Sequence, residues 1–285
     1  MSAAPSPQPA HRGFHWRIWF AEAVGTTLFV LGALSFAGLI LGDGSPLEGA
    51  VPTESLRFLV VGLLVGAWVG ALVVSPLGRL SGAHLNPAVT LAFSLFGRVS
   101  PHDVVGYVIA QLVGAVVGAA AFGLAWGSIA DSVGGGVTHP TIATPLAVGL
   151  ELVMTAILLA TILLFVSRKR LSRWVPLMLW PLLGLLIWQG GPYTGTSLNP
   201  ARSLGPAVAF SDFADLWLYF VAPAAGGLLT AALWRLGDPS RMPKTAKLFH
   251  DARYPCPFAS DLPAMPAGAP TPKRPKTVRS SGAVG

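Results

Sequence analysis

Six long stretches with almost no charged side chains constrain the fold of this chain more than any other feature. They cover residues 16–41, 56–77, 104–126, 145–166, 174–189 and 216–236. A helix of about 20 apolar residues crosses the roughly 30 Å hydrocarbon core of a bilayer, and only helices and closed barrels satisfy the backbone in lipid. Hydrophobic residues make up 53% of the chain and charged residues 11%. The sequence therefore predicts an all-α membrane protein with six transmembrane helices.

The distribution of basic residues predicts the orientation of these spans. With a cytoplasmic N-terminus, Arg57 is the one basic loop residue that faces outward. The basic residues on the cytoplasmic side are then Arg17, Arg79, Arg98, Arg168, Lys169, Arg170, Arg173 and Arg235. We therefore expect a multi-pass protein of the cell (plasma) membrane, surrounded by the lipid bilayer, with both termini in the cytoplasm.

Two proline-containing ends flank the spans. Residues 1–15 and the basic, Pro-rich tail 237–285 are expected to be disordered, because neither holds enough apolar residues to fold. The C-terminal tail contains eight Lys or Arg and three Asp or Glu, so it carries +5 of the formal net charge of +7. Since the basic excess lies in this tail, it does not indicate nucleic-acid binding.

The domain between these ends repeats itself, once in about 16–126 and again in about 145–236. Residues 82–89 (GAHLNPAV) correspond to residues 195–202 (GTSLNPAR). Each half holds three spans, an odd number, so the second half must be inverted relative to the first. Inverted repeats place their functional site near the bilayer midplane.

A short apolar piece in each half opens with the tripeptide Asn-Pro-Ala. The two copies are Asn86, Pro87 and Ala88, and Asn199, Pro200 and Ala201. Asn is a good N-cap and Pro suits the first helical position, so both copies predict the start of a helix. About ten residues give roughly 15 Å of helix, half of the hydrocarbon core. We therefore expect two re-entrant half-helices that meet at their N-termini and line a water-filled path.

With one such tripeptide in each repeat, the chain resembles the major intrinsic protein family, the aquaporins and glycerol facilitators. The resemblance extends from Trp16 to Leu236 and includes 21–26 (AEAVGT), 81–90 (SGAHLNPAVT) and 199–203 (NPARS). It implies an aquaporin-like fold, a channel domain over 16–236, and a homotetramer in which each subunit has its own pore.

Three polar residues of this region invite a functional interpretation. Asn86 and Asn199 are expected to direct their amides to the midplane, donating to a passing water while the helix dipoles repel cations. The alternative is that both residues only cap helices. Arg202 follows Asn199 by about one helical turn, and a charge at that depth is functional by default. The resemblance makes Arg202 one wall of the outer constriction; the alternative is a salt bridge alone.

Two acids and one histidine have both structural and functional interpretations. Glu22 and Glu151 occupy equivalent places in the repeats, which favours a paired role as hydrogen-bond acceptors for the two re-entrant loops over proton relay. His84 could gate the path or bind a metal. A hydrogen bond that holds its loop is favoured, because no second His or Cys has a ligand-like spacing to it.

The resemblance also implies a selectivity filter of four positions. By residue count these are Gly66, Ile187, Thr196 and Arg202. Water channels of the family have an aromatic at the first position and His at the second, so Gly66 and Ile187 predict a wide filter. Both assignments assume ungapped spacing to the nearest tripeptide. Ser203, Ala207 and 219–220 (YF) resemble the water branch.

The sequence therefore predicts a passive channel for water that excludes protons and ions, with small neutral solutes as additional cargo. The alternative is a facilitator of glycerol, urea, ammonia or metalloid acids. A coupled transporter needs a titratable group in the pathway, and an enzyme needs a nucleophile–base pair or a metal cluster; the sequence favours neither. With a single cysteine, no cofactor or metal site is predicted. Because the pore elements end before Leu236, loss of the tail is expected to leave permeability largely intact.

Overall fold

The computed structural model describes residues 13–168, 170–251, 253–254, 256, 258 and 260. All regular secondary structure in that part of the chain is helical. The α-helices are α1 (Trp16–Leu41), α2 (Glu54–Val74), α3 (Pro76–Ser81), α4 (Pro87–Ser94), α5 (Pro101–Trp126), α6 (Ser128–Ser132), α7 (Thr144–Val166), α8 (Val175–Thr194), α9 (Pro200–Ala209) and α10 (Leu216–Arg235). Short 3₁₀ turns lie at Gly134–Gly136, Ser172–Trp174 and Pro239–Arg241.

Helices α1, α2, α5, α7, α8 and α10 are long and apolar enough to cross a membrane. The six predicted spans are therefore confirmed. The two tripeptides open α4 and α9, which have eight and ten residues and so reach about 12 and 15 Å. Two helix ends differ from the prediction, and the first is that of α8. This helix was predicted to end at Gln189 and runs on to Thr194 through two glycines and a proline.

Helix α2 ends at Val74, three residues before the predicted end of the span. Pro76 has no backbone N–H and disfavours helical backbone at the residue before it, and Ser75 is accordingly extended, with ψ 163°. The Ser75 hydroxyl instead accepts a hydrogen bond from the Gly78 amide at 3.2 Å and caps α3. A short helix therefore separates α2 from the loop that leads into the first tripeptide.

The two halves pack in the same way, as an inverted repeat requires. Helix α1 packs on α5 in the first half, and α7 packs on α10 in the second. A glycine allows each crossing: a Cβ on Gly114 would overlap the carbonyl of Ala23, and a Cβ on Gly226 would overlap that of Leu152. Small residues at such crossings let helix backbones approach closely in a membrane.

Helices α2 and α8 form the largest contact between the halves. Gly62, Gly66 and Gly70, spaced four residues apart on α2, face the backbone of α8. A Cβ on any of them would overlap α8, at the carbonyls of Gly184, Trp180 and Pro176, respectively. These three glycines, the glycine seam, therefore set the distance between the two helices.

The chain beyond α10 differs from the expected disordered tail. Residues 243–251 turn back onto the channel domain, and the Leu248 amide donates a hydrogen bond to the Gly82 carbonyl at 3.1 Å. The buried residues of this segment include Thr245, Ala246, Lys247 and Leu248. Of the predicted N-terminal tail, His15 lies in the described part and bonds Asp103 at 2.8 Å. The remaining tail residues, 1–12 and most of those after 251, lie outside the described residues.

The glycine seam makes a direct prediction for stability. Gly66→Ala should lower the free energy of unfolding by about 1–3 kcal/mol, because the new methyl group forces α2 away from α8. The matched control is Gly149→Ala in α7, where an added Cβ meets nothing within 4 Å and alanine favours the helix by up to about 1 kcal/mol. Thermal unfolding in detergent, followed by tryptophan fluorescence, compares the two. Equal unfolding midpoints for the two variants would contradict the conclusion that the glycine seam sets the distance between α2 and α8.

Candidate functional site

A cavity of about 360 Å³ lies between the two halves of the domain. Its polar lining comes from both re-entrant loops, residues 83–86 and 195–199, and from Arg202. Most of its apolar lining comes from one face each of α1, α2, α7 and α8, and Leu248 beyond α10 adds to it. The cavity therefore has the form of the predicted path, with backbone and amide groups on one side and hydrocarbon on the other.

The N-termini of α4 and α9 are capped by the asparagines of the tripeptides. The Asn86 side-chain oxygen accepts a hydrogen bond from the Ala88 amide at 2.8 Å, and the Asn199 oxygen accepts one from the Ala201 amide at 3.0 Å. In each helix a proline occupies the first position, where an N–H is not needed. The side-chain oxygens are thus used as caps, and the amide nitrogens stay available for other partners.

Those amide nitrogens join the two half-helices across the midplane. Asn86 Nδ2 donates to the Leu198 carbonyl at 2.8 Å, and Asn199 Nδ2 donates to the Leu85 carbonyl at 2.9 Å. An amide nitrogen carries two hydrogens, so each asparagine keeps a second N–H while lining the cavity. The two helix starts therefore meet, and two N–H donors remain for a molecule in the cavity.

The first re-entrant loop is held from behind by Glu22 of α1. Its two carboxylate oxygens accept hydrogen bonds from the His84 amide at 3.0 Å and the Leu85 amide at 2.8 Å. Gln111 Nε2 donates a third bond to the carboxylate, at 3.0 Å. Glu22 is 0% exposed, so its oxygens compensate backbone N–H groups that have no access to water.

Glu151 of α7 holds the second loop in the same way. It accepts hydrogen bonds from the Ser197 amide at 2.9 Å, from the Leu198 amide at 2.8 Å and from the Thr194 hydroxyl at 2.7 Å. The structure thus places both acids against backbone amides, at equivalent points of the two repeats. Neither acid is among the residues that line the cavity.

Four non-glycine residues of the loops have left-handed backbone. They are Ala83, Leu85, Thr196 and Leu198, with φ between 44° and 57°. Alternation of such residues turns two successive N–H groups to the same side, as in an anion-binding nest, and each nest is filled by a glutamate. The carbonyls of the same peptide units point away from the glutamates, because N–H and C=O lie on opposite sides of a trans peptide. The backbone strain, of order 1 kcal/mol or more per residue, is retained because the glutamates fix the loops.

His84 bonds through both ring nitrogens. Its Nε2 donates to the Ala246 carbonyl at 2.7 Å, and its Nδ1 lies 3.1 Å from the Thr90 hydroxyl. The ring also stacks on Phe93, with 5.1 Å between the centroids. Both nitrogens are therefore engaged within the protein, and no cluster of three His, Cys, Asp or Glu side chains is placed to hold a metal among the described residues.

Arg202 lies in the first turn of α9 and lines the cavity. Its Nη1 donates to the carbonyl of Gly136, in the loop between α6 and α7, at 2.7 Å. Within the described part of the chain its guanidinium has a carbonyl partner and no carboxylate partner. The charge is therefore presented to the cavity rather than neutralised by an ion pair.

Three of the four residues predicted for the filter lie together in the cavity lining, and the fourth lies outside it. Ile187, Thr196 and Arg202 line the cavity, but Gly66 does not. Gly66 belongs to the glycine seam and faces the α8 backbone. Gly66 was selected by a residue count from Asn86, and a count does not show which face of α2 packs on a neighbouring helix.

Phe58 is a cavity residue that the sequence analysis missed. Helix α2 lines the cavity through Phe58, Val61, Val65 and Val69, one face of the helix next to the seam. The Phe58 ring lies against Gly191 of α8, where a Cβ would overlap it. The four-residue spacing of the seam glycines could have indicated this, because small residues at that spacing predict a close contact with a neighbouring helix. The adjacent face of α2 is then the one available to line the cavity.

Comparison with known proteins agrees with this architecture. The family model described as major intrinsic protein matches residues 10–234. The probable aquaporin NIP7-1 of Arabidopsis thaliana is 35% identical over 224 residues, which cover 77% of this chain and 76% of that protein. The lens fiber major intrinsic protein of Gallus gallus is 32% identical over 259 residues, covering 88% and 93%. The structure of the aquaglyceroporin from Plasmodium falciparum matches with a TM-score of 0.62 at 25% identity, covering 78% of this chain and 96% of that one.

Fold and cavity together define a multi-pass, all-helical membrane channel built from an inverted repeat. The chain belongs to the major intrinsic protein family. It is accordingly a membrane channel for water or small solutes, in a family of transport proteins rather than enzymes.

The glutamate contacts predict the effect of removing one charge. Glu22→Gln keeps one acceptor oxygen and turns the other into a donor, so one loop N–H loses its partner and the free energy of unfolding should fall by about 1–3 kcal/mol. The control is Glu54→Gln, an exposed residue in the first turn of α2, which should stay within about 0.5 kcal/mol of the wild type. Thermal unfolding of the purified proteins measures both, and a Glu22→Gln protein as stable as the control would refute the bracing role.

Proposed function

We propose that the protein is a passive channel for water that also admits small neutral solutes and excludes protons and ions. The observation that supports this most is the meeting of Asn86 and Asn199 in the cavity, each with one amide hydrogen left for a passing molecule. Water can accept both hydrogens in turn, with apolar side chains on the facing wall. A path of this kind needs no bound cofactor and no conformational cycle.

Three fixed positive potentials oppose the entry of cations into the cavity. The N-termini of α4 and α9 both face the midplane, and each carries about half of a positive elementary charge. Arg202 adds a full charge toward one end of the cavity. A hydrated proton or metal ion therefore meets repulsion at two levels, whereas a neutral molecule does not.

The revised filter is amphipathic. Phe58 and Ile187 form an apolar side, and Thr196 and Arg202 form a polar side. The first filter position is thus proposed to be an aromatic ring in place of Gly66, which favours a narrower filter than glycine would give. Ile187 still leaves the apolar side without a polar ring, which favours entry of small solutes with a hydrocarbon face. The second candidate function, a facilitator of glycerol or a similar solute, rests on this apolar side.

We further propose a homotetramer in the cell membrane with both termini in the cytoplasm. The asymmetry of the basic residues supports the orientation. Exposed apolar side chains follow one another on α5, as Val105, Ile109, Val113 and Val117, and give this helix an outer surface suited to lipid or a neighbouring subunit.

Stopped-flow light scattering of proteoliposomes tests the proposed function. An impermeant osmolyte gradient measures water flux, and a glycerol or urea gradient measures solute flux. We expect water permeability well above that of empty vesicles, a smaller solute permeability, and a proton leak equal to that of empty vesicles. Solute flux without added water flux would favour the second candidate, and neither flux would refute the channel.

The filter makes a separate prediction. Phe58→Ala removes the ring from the apolar side and should raise the ratio of glycerol to water permeability by about tenfold. The matched control is Phe213→Ala, an exposed phenylalanine between α9 and α10, which should leave the ratio unchanged. The same stopped-flow pair of gradients gives the ratio. If Phe58→Ala matches its control, the ring is not part of the filter.

A further inference from the structure

Residues 243–251, which we call the strap, cross one end of the cavity. The Ala246 carbonyl accepts the hydrogen bond from His84, and the Leu248 amide donates to the Gly82 carbonyl. Both partners belong to the loop that leads into Asn86. The strap is therefore bonded directly to the pore loop, at the end of the cavity away from Arg202, which we call the inner mouth.

Leu248 is the strap residue that enters the path. It is 3% exposed and lines the cavity together with Leu158 and Ile162 of α7 and Leu179 of α8. Among the described residues beyond α10, it is the one that contributes to the cavity lining. An apolar side chain thus occupies the end of the cavity opposite Arg202.

Lys247 anchors the strap. Its side chain is buried, and the ammonium group donates to the Arg79 carbonyl at 2.7 Å and to the Tyr254 carbonyl at 2.9 Å. Burial lowers the pKa of this group, and the two carbonyls compensate the lost hydration. Arg98 adds a further bond, from its Nε to the Pro243 carbonyl at 2.7 Å.

The Arg79 side chain holds the far end of the strap. Its guanidinium pairs with Asp251 at 3.1 Å and lies over the Phe249 ring, 5.7 Å from the centroid. A hydrogen bond from Arg253 lowers the pKa of Asp251 to about 2, so this carboxylate stays ionised at neutral pH. The strap is therefore attached at several separate points along its length.

We infer that the strap is an autoinhibitory segment, which restricts water flow while Leu248 is docked in the inner mouth and permits it on release. This inference rests on the proposed function, and it replaces the expectation that the tail has no part in permeation. One apolar side chain and a set of polar bonds hold the docked state. Such a segment can exchange between docked and released populations, and the ratio of the two then sets the flow.

The test uses full-length protein in vesicles. Leu248→Ala should raise water permeability per channel by about threefold or more, because the shorter side chain both opens the mouth and weakens docking. Leu248→Phe should lower it, since a larger ring fills the same place. The matched control is Leu236→Ala, a leucine between α10 and the strap that is 84% exposed, and it should behave as wild type.

A second variant acts on the anchor alone. Lys247→Met keeps the length of the side chain and removes both ammonium bonds, so it should raise permeability with Leu248 unchanged. Hydrogen–deuterium exchange gives an independent readout, because the Leu248 amide is bonded to Gly82 only in the docked state. Both opening variants should exchange this amide faster than the wild type and the Leu236→Ala control.

The outcomes separate this inference from the proposed function. The opening variants are Leu248→Ala and Lys247→Met. If the wild type, both opening variants and the control have equal and measurable water permeability, the autoinhibitory role of the strap is refuted and the proposed channel function stands. Lower permeability in the opening variants would also overturn it, since the strap would then support the pore. Permeability at the level of empty vesicles in every protein would overturn the proposed function and the inference with it.

Discussion

The structure depends on the satisfaction of non-helical backbone at membrane depth. On the side away from the cavity, the N–H groups of the loops before α4 and α9 have no water and no helical partner, and each loop is held there by a buried glutamate of a spanning helix. With their N–H groups fixed by Glu22 and Glu151, the two loops line the cavity. The asparagines then join the two loops to each other across the midplane. Loss of one such contact leaves a buried donor without a partner, so the arrangement is held as a unit.

The remaining packing follows from this central arrangement. Two half-helices can meet only if the spanning helices around them approach closely, and glycines at the crossings allow that approach. The close crossing of α2 and α8 in turn decides which face of α2 is left for the cavity. Phe58 and Ile187 therefore line the cavity because of where the glycine seam lies. In the filter that we propose, the polar side comes from α9 and its loop, so both repeats contribute to it.

Much of this was predictable from the sequence, because its signals are local or repeated. The spans follow from apolar length, the half-helices from Asn-Pro starts, and the loop acceptors from the equivalence of Glu22 and Glu151. The position of Gly66 was not predictable from a residue count, because the count does not show that this face of α2 packs on α8. The strap was missed for a different reason. Leu248 and Lys247 are single residues in a proline-flanked, polar segment, and the contacts that order them, to Gly82 and Arg79, are distant in sequence.

We propose that water passes between Asn86 and Asn199 on the amide hydrogens that the half-helices do not use. An experimental structure in a lipid bilayer, at a resolution that shows ordered water, would reveal whether it does. We expect a line of water density along the cavity, with one molecule within about 3 Å of each Nδ2 atom. A midplane closed by protein atoms, or both hydrogens of each amide bonded to protein, would contradict it.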